Sequence, residues 1–400
     1  RQYTKIADDA ITLPQFFKNR FHDESGWISV ISALFILVFF LFYTASGFVS
    51  CAKLFSSVFG IPYMVSLVIG AVVVISYTFA GGFFAVCWTD FFQGMLMFFC
   101  VVAVPCIAVS QMGGPGDFIS SVETFNPNFL SMMVDGATNQ PYTALGIVSL
   151  IAWGLGYFGQ PHILVRFMGI SSPAAIKKSR RIACIWVVIS LTAAVMIGVS
   201  GRMILGDGLL DGNGQQEIIY ITMVSRFFPV FIAGIFLSAI LAAIMSTADS
   251  QLLVTASALT EDFYHNKIRP QATEKELMWV SRICVMAVAV IAVLIATNQN
   301  STVLGLVSYA WGGFGSAFGP LVLCSLFWRR TNKAGAYAGV LVGGIVDLVW
   351  AQLSGGIFDL YEIVPGFVFG LLAIVVVSLL TPAPTKAVTD EFDSYHHCVE

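Results

Sequence analysis

The sequence predicts an all-α protein that crosses a membrane many times. Of its 400 residues, 57% are hydrophobic and only 11% are charged, and the mean hydropathy is +0.84, whereas a soluble domain carries roughly a quarter charged residues. The apolar residues come in long blocks, several of which exceed the ~20 residues needed to cross a hydrocarbon core. Backbone in that core must hydrogen-bond to itself, and runs of this length do so as α-helices rather than as barrel strands.

Ten apolar blocks are predicted to cross the membrane and are called here the first to the tenth span. They make up a transmembrane domain, 28–381, between a cytoplasmic N-terminal segment, 1–27, and a cytoplasmic tail, 382–400. The tail is too short to be expected to fold as a domain. The ten spans are 28–52, 61–80, 83–111, 142–158, 180–204, 229–260, 276–297, 302–328, 333–353 and 361–381.

The basic residues predict the orientation of the chain. If residues 1–27 are cytoplasmic, all but three of the twenty Lys and Arg residues fall on the inner side, and the three outer ones are Lys53, Arg202 and Arg226. Such a bias follows the positive-inside rule. The long outer segment 112–141 carries no Lys or Arg, which fits an exported loop. The sequence therefore predicts a multi-pass protein of the plasma membrane with both ends cytoplasmic.

Several functional classes find no support in the sequence. The net charge of −3 comes without a basic stripe, so nucleic-acid binding is not expected. No phosphate-binding loop, nucleophile elbow, HExxH zinc motif or dinucleotide fingerprint occurs, which argues against an enzyme and against a cofactor. The lipid bilayer is the partner that the composition implies, and no obligate protein partner is indicated.

Three acidic residues lie inside predicted spans: Asp90, Asp249 and Asp347. A charged group in hydrocarbon costs ~2.5–3.5 kcal/mol on insertion scales, so each acid is a functional candidate. No basic residue is expected at comparable depth. A cation, a proton or water is therefore expected to neutralise or solvate the three carboxylates.

The sixth span carries a cluster of hard oxygen ligands. Ser246, Thr247, Asp249 and Ser250 lie within little more than one helical turn, and hard oxygens suit sodium. The alternative is that the hydroxyls bond back to the carbonyl one turn earlier and only help the helices to pack.

The end of the fourth span is expected to break. Between Trp153 and His162 the sequence runs Trp-Gly-Leu-Gly-Tyr-Phe-Gly-Gln-Pro-His, so three glycines and Pro161 interrupt an apolar run. Transporters bind substrates and ions at such breaks near the midplane. Trp153 and Tyr157 are one turn apart and would present two rings to a small ring-shaped or cationic substrate. The alternative is an aromatic belt at the membrane interface.

Four further features complete the pattern. The eighth span is rich in glycine around Trp311 and is predicted either to bend or slide, or simply to pack closely. Residues 216–227 suit a short amphipathic surface helix that leads through Pro229 into the sixth span. His162 is expected at a loop or an interface. The chain opens on Arg1 rather than an initiator Met, so a truncated N-terminus is expected.

Several long strings resemble one known family, the sodium/solute symporters, and in particular its sodium/proline branch. The resemblance runs nearly end to end. The strings are TLPQFF, FYTASG, CWTDFFQG, WGLGYFGQPHILVRFM, LSAILAAIMSTADSQLL, LTEDFY, LGLVSYAWGGFGSAFGP and YEIVPGFVFG.

The resemblance implies a LeuT-like helical bundle, with a core of two inverted repeats of five helices in a protein of thirteen. Ten spans against thirteen imply that this chain lacks the first helices. By the same mapping, the first three spans finish the first repeat, the fourth to the eighth form the second, and the last two are peripheral.

The resemblance also assigns roles to residues. Ala243, through its carbonyl, Ser246 and Thr247 look like part of the main sodium site. Asp90 resembles an acid linked to sodium handling, while Asp249 and Ser250 fall where some relatives build a second sodium site, which leaves one or two sodium ions open. The residues that resemble the proline pocket are Tyr43, Trp153, Tyr157 and Pro161.

The function that the resemblance implies is sodium-coupled symport of L-proline into the cell by alternating access, with sodium as co-substrate. A symporter for another small solute, such as pantothenate or an osmolyte, is the nearest alternative. A transporter-like sensor and a channel are more distant alternatives. The short tail encodes no kinase, and an aromatic pocket beside a broken helix suits an enclosed solute better than a continuous pore.

Overall fold

A computed structural model of the chain describes residues 9–10, 12–80, 83–136, 138–206 and 215–397, and most of these residues are helical. The α-helices are α1 (Leu13–Arg20), α2 (Trp27–Phe59), α3 (Tyr63–Ala80), α4 (Phe83–Gln111), α5 (Pro115–Phe125), α6 (Ala144–Gly156), α7 (Pro161–Met168), α8 (Ala175–Leu205), α9 (Ile219–Phe227), α10 (Val230–Ser257), α11 (Glu274–Ala296), α12 (Val303–Phe327), α13 (Lys333–Trp350), α14 (Ile363–Leu380) and α15 (Lys386–His397). Shorter 3-10 turns cover Gln215–Ile218 and Gly356–Asp359, and α10 continues as a π-helix, Ala258–Ile268.

The predicted all-α class is confirmed, with one small exception in the segment 112–141. Two-residue strands β1 (Val134–Asp135) and β2 (Gln140–Pro141) pair antiparallel there, after helix α5. So short a pair adds a local hairpin to a segment outside the spans and leaves the helical architecture unchanged.

Within the described residues, eight helices are long and apolar enough to cross a membrane. They correspond to eight of the ten predicted spans and are α2, α4, α8, α10, α11, α12, α13 and α14. The second predicted span lies in α3, whose apolar stretch Tyr63–Ser76 is shorter. The fourth lies in α6, which has only 13 residues because the helix breaks.

Helix α12 lies at the centre of the bundle. Every residue from Ala310 to Val322 is buried, and the helix packs against α2, α6, α13 and α14. Glycines allow this enclosure: a Cβ at Gly313 would stand 2.0 Å from the Phe39 ring, so only hydrogen fits there. The glycine content that predicted either sliding or packing of the eighth span therefore serves close packing in this structure.

An ionic contact fastens the start of α12 on the side predicted to face outward. The ammonium group of Lys53 on α2 lies 2.6 Å from Oε2 of Glu217 in the 3-10 turn. The same carboxylate accepts hydrogen bonds from the backbone N–H groups of Val303 (3.1 Å) and Leu304 (3.2 Å). An anion at a helix N-terminus satisfies amides that have no partner within the helix. The predicted surface helix at 216–227 is present as this turn followed by α9.

A buried carboxylate, Asp23, organises the opposite end of α2. It accepts hydrogen bonds from the hydroxyls of Ser25 (2.5 Å) and Tyr337 (2.6 Å) and from the amide of Ile28 (3.1 Å), and the ammonium of Lys333 lies 3.7 Å away. Burial opposes ionisation, but these hydrogen bonds outweigh it, so the pKa of Asp23 lies below its ordinary value of 3.8. The carboxylate thereby joins the segment before α2 to α13.

The tail beyond the tenth span contains an ordered helix, α15, that the sequence analysis did not predict. Val388 and Phe392 are buried on its inner face, and the guanidinium of Arg20 lies 5.3 Å from the centre of the Phe392 ring. A bidentate ion pair joins Arg329 to Asp393 at 2.7 Å, but both side chains are largely exposed to solvent. Buried apolar contact rather than the ion pair therefore holds the helix in place.

We expect the Asp23→Asn variant to melt at a lower temperature than the wild type near neutral pH. Because the pKa of Asp23 is lowered by folding, its contribution to stability is present above the ordinary value and is lost as the pH falls through the folded-state pKa. Melting curves recorded in detergent from about pH 7 to about pH 3 should converge at the acid end. A constant difference at every pH would contradict this account.

We expect Phe392→Ala to release α15 and Asp393→Asn to leave it bound. Removal of a buried phenylalanine ring costs ~3 kcal/mol or more, whereas an exposed ion pair contributes little. Hydrogen–deuterium exchange of peptides from α15 measures the difference. Faster exchange in Asp393→Asn than in Phe392→Ala would show that the ion pair holds the helix.

Candidate functional site

The predicted break of the fourth span is present. Helix α6 ends at Gly156 and α7 begins at Pro161, with residues 157–160 between them. Proline has no N–H to donate and suits the first position of a helix, so α7 starts there rather than continuing α6. Gln160, which precedes it, is buried, and its side-chain amide donates to the carbonyl of Trp311 on α12 at 3.3 Å.

Aromatic rings gather on the α6 side of the break. Trp153 stacks on Trp311 with ring centroids 5.2 Å apart, and Tyr157 meets Trp311 edge-on at 4.8 Å. Trp311 also donates its indole N–H to the carbonyl of Trp153 at 2.9 Å. The Tyr361 ring also stacks on Trp153, with ring centroids 6.3 Å apart. Trp153 is half-buried among these rings, whereas Tyr157 is 45% exposed.

Two glycines allow α12 to approach the break so closely. A Cβ at Gly156 would lie 1.9 Å from the indole nitrogen of Trp311, and one at Gly159 would lie 2.1 Å from the carbonyl oxygen of Phe314. Neither contact leaves room for a side chain. The glycines therefore determine where the aromatic rings lie relative to α12.

Tyr43 and His162 border the same region from α2 and α7. The His162 ring packs edge-on against Tyr43 at 5.9 Å and against Phe40 at 5.7 Å. His162 thus lies in a helix rather than in the expected loop, and α7 turns this face towards α2. The four residues predicted for the substrate pocket, Tyr43, Trp153, Tyr157 and Pro161, lie around one break.

The residues predicted to bind sodium lie along α10. The hydroxyl of Ser246 donates to the carbonyl of Ala243 at 3.1 Å, and that of Ser250 donates to the carbonyl of Ser246 at 3.0 Å. Both serines thus form the backbone contacts that the alternative interpretation expected. Thr247 is exposed. Oxygen atoms of Ala243, Ser246 and Ser250 therefore lie within two turns of one helix.

The expectation that no basic residue lies near the intramembrane acids is wrong for Asp90. The guanidinium of Arg166 donates through one nitrogen to Oδ2 of Asp90 and to the hydroxyl of Ser250, both at 2.8 Å. Arg166 lies on α7, after the break, and contacts residues of α4 and α10. Asp249, next to Ser250, is fully buried and is engaged by neighbouring groups.

The aromatic group and the oxygen group are joined through two elements. Thr44, next to Tyr43 on α2, donates to the side-chain carbonyl of Gln251 on α10 at 3.2 Å, and both residues are buried. Helix α7 begins with Pro161 at the break, and Arg166, which pairs with Asp90, lies in its second half. A movement of α7 would therefore displace Pro161 and Arg166 together.

Sequence reasoning missed four residues of this site: Gln160, Arg166, Gln251 and Trp311. The charge bias alone places Arg166 on the cytoplasmic side, although it lies less than two turns after the predicted break. The sequence marks Trp311 only as part of a glycine-rich span. Its position among the glycines was the available signal, because a large ring flanked by small residues marks a close helix contact.

A bundle of apolar helices with a broken helix, aromatic rings at the break and hard oxygen atoms on a helix that contacts it is typical of a secondary transporter. The sodium:solute symporter family model matches residues 2–343. The chain belongs to that family.

Individual relatives are similar over almost the whole chain. The high-affinity proline transporter PutP of Bacillus subtilis (strain 168) is 46% identical over 99% of this chain and 82% of its own length. The sodium/proline symporter of Escherichia coli (strain K12) is 45% identical over 99% of this chain and 79% of its own length. The fold is shared with a solved Na⁺-coupled sialic acid symporter in a substrate-bound outward-open state, with a TM-score of 0.72 and 20% identity over 94% of this chain and 78% of that one.

We expect Gly156→Ala to destabilise the protein and Gly154→Ala to leave it as stable as the wild type or more so. A Cβ at Gly156 would overlap Trp311, whereas Gly154 has nothing within 4 Å of its added Cβ. Overpacking costs ~1–3 kcal/mol, while alanine is the better helix former. Thermal unfolding and tryptophan fluorescence of both variants measure the effect. Equal melting temperatures would contradict the close contact.

Proposed function

We propose that this chain carries out sodium-coupled symport of L-proline into the cell by alternating access. The observation that carries the proposal is the aromatic group at a broken helix, next to a helix that carries hard oxygen atoms, in a chain 45% identical to the sodium/proline symporter of Escherichia coli. Symport needs no covalent chemistry. It requires that sodium and proline each bind one conformation better than another.

Proline is proposed to bind at the break between α6 and α7. Its pyrrolidine ring is small and apolar enough to pack on Trp153 and Tyr157, with Tyr43 closing the pocket from α2. Pro161 has no N–H, so it cannot donate to the carbonyl of Tyr157 four residues earlier. That carbonyl suits the cationic amino group of the substrate.

Sodium is proposed to bind to the carbonyl of Ala243 and the hydroxyls of Ser246 and Thr247. Ser246 hydrogen-bonds to the Ala243 carbonyl, so both oxygens already point to one region of α10. Sodium would take both as ligands in place of that hydrogen bond. Thr247 is exposed and can turn its hydroxyl to the ion.

Asp90, Asp249 and Ser250 are proposed to couple a second ion or its movement to the cycle. Arg166 contacts Asp90 and Ser250 at 2.8 Å, so the guanidinium supplies the positive charge between them in this structure. A sodium ion at the same place would compete with that guanidinium for the carboxylate of Asp90. A movement of α7 that carries Arg166 away from Asp90 would leave the carboxylate free to bind sodium.

The membrane arrangement is part of the proposal. The bias of Lys and Arg supports a multi-pass plasma-membrane protein with both ends of this chain cytoplasmic. In that arrangement Asp23 and α15 face the cytoplasm, while Glu217 and the β1–β2 hairpin face outward. A symporter for pantothenate or an osmolyte is the alternative, because the pocket would also accept other small solutes with a compact apolar part.

The test of the substrate is uptake of labelled L-proline into proteoliposomes that contain the protein, with and without an inward sodium gradient. Unlabelled pantothenate and glycine betaine serve as competitors. Uptake that requires sodium and is blocked by proline alone is the expected result. Sodium-driven uptake of a competitor instead would change the substrate, and uptake indifferent to sodium would overturn the mechanism.

The test of the sodium site is the double variant Ser246→Ala and Thr247→Ala. We expect the sodium concentration for half-maximal uptake to rise by ~10-fold or more, which corresponds to ~1.4 kcal/mol. Ser238→Ala on the same helix is the matched control, because its hydroxyl is exposed and, among the residues that the structure describes, bonds only to the carbonyl of Ile235. An unchanged sodium dependence in the double variant would refute the assignment.

A further inference from the structure

A second buried acid lies outside the site described above, where α12, α13 and α14 meet. Asp347 is fully buried in the last turn of α13. Its Oδ1 accepts a hydrogen bond of 2.8 Å from the hydroxyl of Ser316 on α12. Its Oδ2 is also buried and has no hydrogen-bond partner among the residues that the structure describes. One carboxyl oxygen therefore lacks the partner that a buried charge requires.

The surroundings of Asp347 are tightly packed. A Cβ at Gly343 would lie 2.1 Å from the carbonyl oxygen of Ser316, and one at Gly366 would lie 2.3 Å from the Ser316 hydroxyl. Two glycines thus bring α13 and α14 against the same residue of α12. Such close packing leaves little room for the water that would otherwise solvate a carboxylate.

A second carboxyl group converges on the same point. A Cβ at Gly312, one turn before Ser316, would lie 3.3 Å from Oδ1 of Asp347 and 3.4 Å from Oε1 of Glu362. Glu362 is the N-cap residue of α14, and its side chain does not cap the helix. The two carboxyl groups therefore both lie against the α12 backbone at Gly312.

No cation balances the pair in the described part of the chain, where neither acid forms an ion pair with Lys, Arg or His. The other titratable groups that face it are Tyr309 on α12 and Tyr361 before α14. Helix α2 contributes an apolar surface, the Phe35 ring against Gly344. Two negative charges so placed would repel each other in a medium that screens them poorly.

The helix ends indicate which acid carries the charge. Asp347 lies at the C-terminal end of α13, where the helix dipole disfavours an anion, and Glu362 lies at the N-terminal end of α14, where the dipole favours one. Glu362 is also the more exposed of the two. The neutral form is therefore the more favourable one for Asp347.

We propose that Asp347 and Glu362 form a proton-binding site that holds one proton on Oδ2 of Asp347 while Glu362 remains ionised. Solvent supplies the proton through the partly exposed Glu362, and the reverse transfer returns it. The site shares no residue with the sodium and proline sites proposed above and does not depend on their assignment. It is joined to the aromatic group through Tyr361, whose amide donates to Ser149 on α6 and whose ring stacks on Trp153.

Infrared difference spectroscopy during a pH titration of the reconstituted protein tests the proposal. A protonated carboxyl group gives a carbonyl stretching band that a carboxylate lacks. We expect one such band at neutral pH that disappears in Asp347→Asn. In Glu362→Gln the band should persist at low pH but be lost about one pH unit lower or more, because the repelling charge is gone.

Asp359→Asn is the matched control, since Asp359 lies three residues before Glu362 in the sequence and accepts a hydrogen bond from the amide of Gly355 instead. It should leave the band unchanged. If Asp347→Asn does not fold, Ser316→Ala replaces it and should shift the band frequency by removing the hydrogen bond to Oδ1. A spectrum without any band sensitive to these variants would overturn the proposal. A band lost when sodium replaces potassium at constant pH would also overturn it and assign the site to sodium.

Discussion

The distance between α12 and the break that separates α6 from α7 is the constraint on which the site depends. Gly156 and Gly159 leave no space for a side chain against α12. The backbone of Gly156 packs on the Trp311 ring, and that of Gly159 packs on the backbone carbonyl of Phe314. Within a membrane, association of helices relies on such contacts because lipid is as apolar as the helix surface. The hydrogen bond from Trp311 to the carbonyl of Trp153 also satisfies a group near the end of α6.

Helix α12 packs against several parts of the structure. Helix α12 contacts α2 through Phe39, the break through Trp311, and α13 and α14 through Ser316. Its N-terminus is held by Glu217 and Lys53. One buried helix therefore connects the aromatic pocket, the acid pair at Asp347 and the segment predicted to face outward.

Local patterns in the sequence predicted the features that depend on local chemistry. Apolar runs predicted the spans, and the glycines with Pro161 predicted the break, because both effects act within a few residues. The ion pair of Arg166 with Asp90 joins positions 76 residues apart, and no local pattern contains it. Helix α15 was missed for a similar reason, since it is held by Phe392 against Arg20 from the other end of the chain. The roles of the site residues in binding sodium and proline remain predictions, because they concern bound ligands rather than the geometry of the chain.

The acids of the protein have different surroundings. Asp90 pairs with a guanidinium, Asp23 before α2 accepts three hydrogen bonds, and Asp347 accepts one hydrogen bond and faces a second acid. In the low dielectric of the interior a charge without a partner would be costly, so each buried acid needs its own set of partners. Composition reveals that such groups exist, while the helix packing decides how each is balanced.

The position of Arg166 on the short helix α7 has an electrical consequence. Any displacement of α7 along the membrane normal also carries a positive charge through the field, and the transmembrane potential does work on it. A full elementary charge that crosses the membrane exchanges ~2.3 kcal/mol per 100 mV. If Asp90 stays behind on α4, the two charges separate and the step is electrogenic even before an ion moves. The membrane voltage would then favour one conformation of the empty protein over the other.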